Sequence, residues 1–374
     1  MLNTPEADRK QIADVDAQQE DLRPGPGSED RLAELRSHRA AAQARIDAYK
    51  YPVLTLPTEI TSEIFLQFLP AYPLCPNTTG LHSPTLLTHV CSQWRNIALS
   101  TPKLWRAIDL LSQEECEGID HIRDAWLSRS GCCPLSLDIL VDEYGESSLP
   151  ALIAHRTRIE YLTITGPTSD AIPHLSIFDS SMPLLRHLEL TLWEPLTQIT
   201  LEKAPLLRSV FLSQNACANV RLPWQHLTSL RLYWCFPEEI LAILPQTPNL
   251  ETCNLCVYIR DPHITLPQFS LLRLDTLILD TELDPRSPLD DRIIRSLITP
   301  ALRHLEISER SLGDNPLDTL SSFLSNSTCK LDRLHIMYDG GGLSIPLERY
   351  HLLVPTISSI LASKIGAETS ILAA

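Results

Sequence analysis

One hydrophobic pattern recurs through the second half of the chain: an apolar residue, two others, a second apolar residue, one other, and a third apolar residue. Its copies begin at Ile159, Leu185, Leu207, Leu227, Leu250, Leu274, Leu302 and Leu331. Successive copies start 20 to 29 residues apart, a spacing typical of proteins built from stacked structural repeats. A partial copy, PLSLDI at 134–139, precedes them. Because one copy cannot bury its apolar edge alone, we predict short strands that stack into one core.

Side chains within each copy would alternate between the two faces of a strand. In LRHLEL at 185–190 the later leucines would face the core, and the residues between them would line an exposed, concave face. That face mixes polar residues with scattered aromatic ones, which suits a protein ligand. An inert, solvated face is the alternative. The candidate target-binding residues are Glu189, Phe211, Arg231, Tyr233, Asn254, Glu306 and His335.

Helical spacing replaces the strand pattern near the N-terminus. Residues 29–50 predict an amphipathic helix, although Arg39 interrupts its apolar stripe. This helix would pack onto the next domain or self-associate as a coiled coil. Residues 1–28 are polar and end in RPGPGS, so we predict that they are disordered.

Residues 51–110 predict a small helical domain. Ile60, Ile64 and Phe68 fall on one face of a first helix. A second helix is predicted to begin after the N-cap Ser83 and to continue without interruption to about residue 99. A domain of this size has a limited core and commonly leans on a partner or a neighbouring domain.

Two helices are predicted to flank the repeats. Residues 111–131, which contain GIDHIRDAWLSR, would form a connecting helix. Residues 132–350 would hold the repeats. Residues 351–374 have apolar positions at helical spacing and would form a C-terminal helix that caps the last repeat.

The charge balance excludes some functional classes. Lys and Arg number 31 against 46 Asp and Glu, for a net charge of −15. A nucleic-acid binder needs a basic face, so we expect no nucleic-acid partner. No apolar run approaches the roughly 20 residues of a membrane span, and MLNTPEADRK lacks the form of a secretory signal. We therefore expect a cytoplasmic or nuclear protein without a membrane partner, whose ten scattered cysteines stay reduced.

Candidate chemistry is sparse. Cys253 and Cys256 form a CxxC, but no second pair completes a zinc site and the two thiols would lie on opposite faces of a strand. His187 and His304 occur in the same repeated LRHLE context without an evident nucleophile. We expect neither an enzyme nor a bound cofactor or metal. The tryptophans of the repeats are expected to pack in the core: Trp193, Trp224 and Trp234.

The helical domain resembles an F-box. The resemblance covers about residues 52–106 and rests on the order of a Leu-Pro pair, an amphipathic helix, Val-Cys-x-x-Trp and a distal Trp105. The long loop at 70–83 and the preceding YPVLTLP resemble the F-box proteins of mushroom-forming fungi. The resemblance implies candidate adaptor-binding positions that either touch the adaptor or hold the helices together: Leu56, Pro57, Ile60, Ile64, Val90, Cys91 and Trp94. Of these we expect Leu56, Pro57 and Ile60 to contact the adaptor, whereas Ile64, Val90 and Trp94 fit either role.

The repeats are similar to the irregular leucine-rich repeats of many F-box proteins. The asparagine that commonly follows the repeat strand is absent from most copies. The predicted fold class is therefore α+β with repeats: an N-terminal helical F-box followed by an α/β leucine-rich-repeat solenoid. Proline introduces several copies, at Pro183, Pro205, Pro248 and Pro300.

The resemblance implies a role without catalysis. The F-box would bind a Skp-family adaptor and through it a cullin–RING ubiquitin ligase, and the repeats would bind a protein target. An interaction scaffold acting outside a ubiquitin ligase is the alternative function.

Overall fold

The computed structural model describes residues 5–22, 28–49, 52–110, 119–140, 154–166, 181–193, 199–218, 220–258, 266–281, 289–338, 342–354, 357 and 359–364. The chain divides into two compact units, Met1–Ile64 and Phe65–Ala374. Within the described residues, no helix combines the length and the apolar character needed to cross a membrane.

The first unit contains two paired helices, α1 (Pro5–Glu20) and α2 (Ser28–Ala48). The α2 helix confirms that residues 29–48 are helical, but its buried residues are Leu35 and Ala42 and do not form the predicted apolar stripe. The disorder predicted for residues 1–28 is wrong over α1. The sequence of α1 is too polar for its hydrophobic pattern to predict a helix. Side chains distant in sequence stabilise this helix instead. Arg39, which interrupts the predicted apolar stripe of α2, pairs with Asp16 at 2.8 Å.

The helices of the second unit follow the predicted order with one interruption. A third helix, α3 (Thr58–Phe68), begins in the first unit and ends in the second. The predicted second helix is two helices, α4 (Pro84–Val90) and α5 (Ser92–Leu99), because Cys91 between them is extended. The Cys91 sulfur accepts a hydrogen bond from the Trp94 N–H and so caps α5. Of the connecting helix predicted over residues 111–131, the structure shows α6 (Ile119–Arg129), and residues 111–118 lie outside the described part of the chain.

Two buried tryptophans join these helices. The Trp105 indole N–H donates to the Ala98 carbonyl at 2.8 Å, and its ring meets that of Trp126 edge to face. The Trp126 indole N–H donates to the Thr85 hydroxyl. Both rings are fully buried, so the distal Trp105 of the motif is a core residue.

An eleven-stranded parallel sheet dominates the second unit. Each copy of the hydrophobic pattern, the partial one included, supplies one strand. In order across the sheet the strands are β1 (Ala107–Asp109), β2 (Leu135–Leu140), β3 (Ile159–Gly166), β4 (His187–Leu192), β6 (Ser209–Gln214), β8 (Ser229–Cys235), β9 (Thr252–Val257), β11 (Thr276–Thr281), β13 (His304–Ser308), β14 (Arg333–Tyr338) and β15 (Ser359–Lys364).

The core is built from rows of apolar residues that match across neighbouring strands. Leu190 lies opposite Leu212, Leu212 opposite Leu232, and Leu232 opposite Leu255. All four are fully buried. The strand-to-strand register therefore places each apolar side chain beside the equivalent one of the next copy.

Turns before the strands explain the recurrent prolines. The Leu185 N–H donates to the Met182 carbonyl, which closes a tight turn with Pro183 at its second position. The same turn closes from Leu207 to Ala204 around Pro205. Proline suits this position because its fixed φ matches the turn. Each turn brings the chain to the start of the next strand.

Shorter elements connect the strands of the large sheet. Two small parallel pairs form between β5 (Ile199–Thr200) and β7 (Val220–Arg221), and between β10 (Phe269–Ser270) and β12 (Leu297–Ile298). The connecting helices are α7 (Pro237–Ile243), α8 (Arg292–Ser296), α9 (Pro316–Ser327) and α10 (Leu347–Leu353).

The predicted C-terminal capping helix is wrong over residues 359–364. Helix α10 ends at Leu353, and β15 pairs in parallel with β14. The adjacent apolar residues of this segment fit the spacing of a helix and also that of a strand. Pairing with the open edge of β14 stabilises the strand. Ile360 is buried and Leu361 is exposed, as alternation in a strand requires. Residues 365–374 lie outside the described part of the chain.

Glu309 connects the end of the sheet to the chain that follows β14. Its buried carboxylate accepts hydrogen bonds from the backbone N–H groups of Ser344 and Ile345 and from the Tyr350 hydroxyl, the last at 2.9 Å. Burial and the neighbouring Glu309 raise the pKa of Tyr350, so its hydroxyl keeps the proton it donates.

We expect Leu232→Ala to lower the free energy of unfolding by about 2–5 kcal/mol, because it removes packed methyl groups from a row that cannot collapse. Urea unfolding followed by circular dichroism measures the change. Leu272→Ala is the matched control, since Leu272 is 65% exposed and should change stability by no more than about 0.5 kcal/mol. Equal losses in the two variants would contradict the core assignment.

Candidate functional site

Four of the candidate adaptor-binding residues belong to the first unit. Pro57 immediately precedes α3, and its carbonyl accepts the Thr61 N–H at 3.0 Å. Ile60 and Ile64 follow one turn apart and are 51% and 46% exposed. Leu56 is partly buried. An apolar pair on one helical face, left half exposed, is available for a partner.

The other three candidates belong to the second unit and differ in exposure. Val90, the last residue of α4, is 56% exposed. Cys91 is partly buried and caps α5, so its part in the fold is structural. Trp94 packs its ring on Phe65, with centroids 4.9 Å apart. Val90 is thus the accessible member of this group.

Leu86 is an exposed apolar residue that the sequence reasoning did not select. It lies one turn before Val90 on α4 and is likewise exposed. The signal was present, because Leu86 and Leu87 both belong to the apolar stripe of the helix, and only Leu87 is buried. Sequence spacing alone does not distinguish the two faces of so short a helix.

The long loop before α4 is held against the sheet. The Ser136 hydroxyl donates to the Pro73 carbonyl at 2.6 Å, and the Tyr72 hydroxyl donates to Glu160 at 3.0 Å. The Arg106 guanidinium lies 3.7 Å from the centre of the Tyr72 ring. These contacts hold the loop to β2, to β3 and to Arg106, the residue before β1.

The candidate target-binding residues fall mainly in one row across the open face of the sheet. The row passes from β4 to β14, and neighbouring members are paired in register. Tyr233 lies two residues further along its strand. The members of the row are Glu189, Phe211, Arg231, Asn254, Ile278, Glu306 and His335.

Three members of that row are not accessible. Ile278 is 5% exposed, Glu306 is 5% exposed and His335 is 4% exposed. The burial of Glu306 and His335 corrects their assignment as target contacts. Glu306 Oε1 lies 3.5 Å from His335 Nδ1, and His335 Nε2 shares a hydrogen bond with the Ser363 hydroxyl at 2.8 Å. Ser363 belongs to β15, a segment predicted to be helical, so this burial does not follow from the sequence pattern.

The central part of the face carries accessible aromatic and cationic groups. The Arg231 guanidinium lies 5.1 Å from the centre of the Phe211 ring. The Tyr233 and Trp234 rings stack with centroids 5.6 Å apart. Trp234 and Trp193 are exposed, which corrects the prediction that they pack in the core, whereas Trp224 is buried as predicted.

Trp234 owes its exposure to an irregular backbone. Its φ is +58°, a left-handed conformation that costs a bulky residue roughly 1–2 kcal/mol. The register between β8 and β9 shifts at this point, from Tyr233 to Cys235. The extra residue interrupts the alternation of the strand and turns the indole outward.

Acidic groups lie at the β1 end of the same face. Asp109 is paired in register with Asp138, and Asp138 with Thr163. Burial, followed by repulsion from Asp109 and Glu189, raises the pKa of Asp138 to about 6. The face therefore changes from acidic groups at β1 and β2 to aromatic and cationic groups at β6 and β8.

The cysteine and histidine side chains that the sequence singled out are buried or held by neighbouring side chains. Cys253 is fully buried, and burial raises its pKa to about 12, so the thiol stays protonated. His187 shares a hydrogen bond with Ser209, and His304 lies 3.1 Å from Asp275.

Comparison with known proteins adds no relationship. No protein-family model matches the chain, and no curated protein matches it.

We expect Asp138→Asn to stabilise the protein at pH 7 by about 1 kcal/mol, a value reduced for solvent screening at this partly exposed group. A raised pKa means that the folded state holds the Asp138 proton more tightly than the unfolded state, so stability falls as pH rises from about 4 to about 6. Urea midpoints at pH 7 and near pH 4 measure the effect. The difference between variant and wild type should vanish at the lower pH, and an equal difference at both pH values would contradict the assignment.

Proposed function

We propose that the chain is the substrate-recognition adaptor of a Skp–cullin–F-box ubiquitin ligase. In this proposal residues 51–110 form an F-box that docks a Skp-family adaptor. The strands after it form a leucine-rich-repeat solenoid whose open face binds a protein target. The chain would supply no catalytic residue. Its contribution is to hold the target near a loaded ubiquitin carrier, which raises their effective concentration.

The observation that carries the proposal is the exposure of apolar residues at the motif positions. Ile60 and Ile64 in the first unit, and Val90 in the second, are each about half exposed on helices. A contiguous exposed apolar patch commonly marks a surface that a partner covers. The order of these residues along the chain resembles the F-box motif, and this resemblance is the reason for proposing a Skp-family adaptor as the partner.

The open face of the sheet supports the second half of the proposal. Four residues of this face combine a cation with aromatic side chains, the residue types enriched at the energetic centres of protein interfaces. They are Arg231, Phe211, Tyr233 and Trp234. They lie on β6 and β8, near the middle of the eleven strands. The target contacts that remain after Glu306 and His335 are removed are Glu189, Phe211, Arg231, Tyr233 and Asn254.

We expect Ile60→Asp to weaken binding of a purified Skp adaptor. The lost apolar burial costs about 1.5–3 kcal/mol, and the desolvated carboxylate adds to this cost. Isothermal titration calorimetry with both folded variants measures the change. Leu352→Asp is the matched control, because it places the same charge at an exposed leucine of α10. Failure of folded wild type to bind would instead favour an interaction scaffold acting outside a ubiquitin ligase.

We expect the double change Arg231→Glu with Tyr233→Ala to leave adaptor affinity unchanged and to remove target capture. Both residues are accessible on the open face, so the fold should tolerate the change. Adaptor titration and quantitative mass spectrometry of co-purified proteins measure the two activities separately. Loss of adaptor binding in the folded double variant would contradict the division into two modules.

A further inference from the structure

Two cysteines distant from the candidate adaptor-binding residues in sequence lie together in the repeats. Cys217 lies in the turn after β6, and Cys235 is the last residue of β8. A disulfide joins them, with Cα atoms 6.4 Å apart and a sequence separation of 18. This corrects the expectation that the cysteines are unpaired. Both side chains are buried.

Glu239 completes a cluster with this pair. It lies in the first turn of α7, four residues after Cys235. One carboxylate oxygen and the two sulfur atoms all lie within 4.8 Å of one another. The Phe236 N–H donates to Glu239 Oε2 at 2.8 Å, which orients the carboxylate toward the start of the helix.

Two thiolates and a carboxylate are a donor set suited to zinc. Zinc binds sulfur at about 2.3 Å and carboxylate oxygen at about 2.0–2.2 Å in a tetrahedral arrangement. Three donors within 4.8 Å of each other can surround one ion at those distances. Thiolate donors favour zinc over magnesium or calcium, which prefer oxygen alone.

We propose that reduction of the disulfide converts this cluster into a zinc site whose protein ligands are Cys217, Cys235 and Glu239. A phosphine or thiol reductant supplies two electrons, the S–S bond breaks, and two protons from solvent give two thiols. Zinc then binds both sulfurs as thiolates, and the two thiol protons return to solvent. Water fills the fourth position. The disulfide and the zinc site are mutually exclusive states of the same pair.

The position of the site gives zinc a structural consequence. Cys235 directly follows Trp234, whose left-handed backbone forms the bulge of β8. A ligand bond at Cys235 would hold the end of this bulge to the turn after β6 and to the start of α7. Zinc binding itself does not depend on the function proposed above.

The test uses the full chain reduced with a phosphine under nitrogen, freed of metal with a chelator and exchanged into chelator-free buffer. Cobalt(II) and then zinc are titrated into it. Cobalt should produce a thiolate charge-transfer band at one equivalent, and zinc should abolish that band. Elemental analysis after desalting should find one zinc per chain. Reduced, folded wild type without stoichiometric binding would overturn the proposal and leave a structural disulfide.

Matched variants locate the ligands. Cys217→Ser and Cys235→Ser should each remove the charge-transfer band or shift it strongly, and Glu239→Gln should raise the zinc dissociation constant at least about tenfold. Glu238→Gln is the control for the carboxylate, since Glu238 is the exposed neighbour on α7. Cys132→Ser is the control for the thiols, since Cys132 is an exposed free cysteine. Unchanged zinc affinity in Cys217→Ser or Cys235→Ser would overturn the proposal.

A measurement on wild type alone covers the case in which a serine variant fails to fold. Reduced protein is alkylated with and without zinc, and the modified cysteines are identified by peptide mass spectrometry. Zinc should protect Cys217 and Cys235 and leave Cys132 reactive. Protection of other cysteines in place of this pair would overturn the assignment.

Discussion

The lateral burial of one strand's leucines by the next strand is the constraint on which the second unit depends. A single strand with its turn has an apolar edge and nothing of its own to cover it. The register between strands covers this edge, because it places equivalent leucines opposite one another on consecutive strands: Leu190, Leu212, Leu232 and Leu255. A register shift by one residue would exchange the buried and open faces of a strand. The same constraint therefore fixes which side chains reach the open face.

The open face is consequently a product of the core. The pairing that aligns the leucines also aligns Glu189, Phe211, Arg231 and Asn254 in one row. A surface assembled in this way changes character along the sheet as each strand contributes its own residue. It is acidic beside Asp138, aromatic and cationic beside Arg231, and closed where Glu306 and His335 are buried.

The sequence predicts the regular part of this fold well, because the leucine spacing and the prolines act within a few residues. It fails where the deciding partner is distant, as in helix α1, which depends on pairs such as Arg39 with Asp16. It also misses the local interruption between α4 and α5, where the extended Cys91 caps α5 with its sulfur. The burial of His335 requires Ser363 on a strand predicted to be helical. Among the candidate adaptor residues on helices, the sequence favours exposure for Ile60 alone. It does not separate the accessible Ile64 and Val90 from the packed Trp94.

Glu309 couples the unfolding of the last strands of the sheet. Arrays of stacked units ordinarily fray from their free ends, one unit after another. Here one buried carboxylate after β13 accepts hydrogen bonds from Ser344, Ile345 and Tyr350, which lie 35 to 41 residues further along the chain. Opening β14 and α10 would strip the partners from a buried charge. Amide hydrogen exchange across β13, β14 and α10 should therefore occur through one cooperative opening, with the end of the sheet behaving as a single foldon.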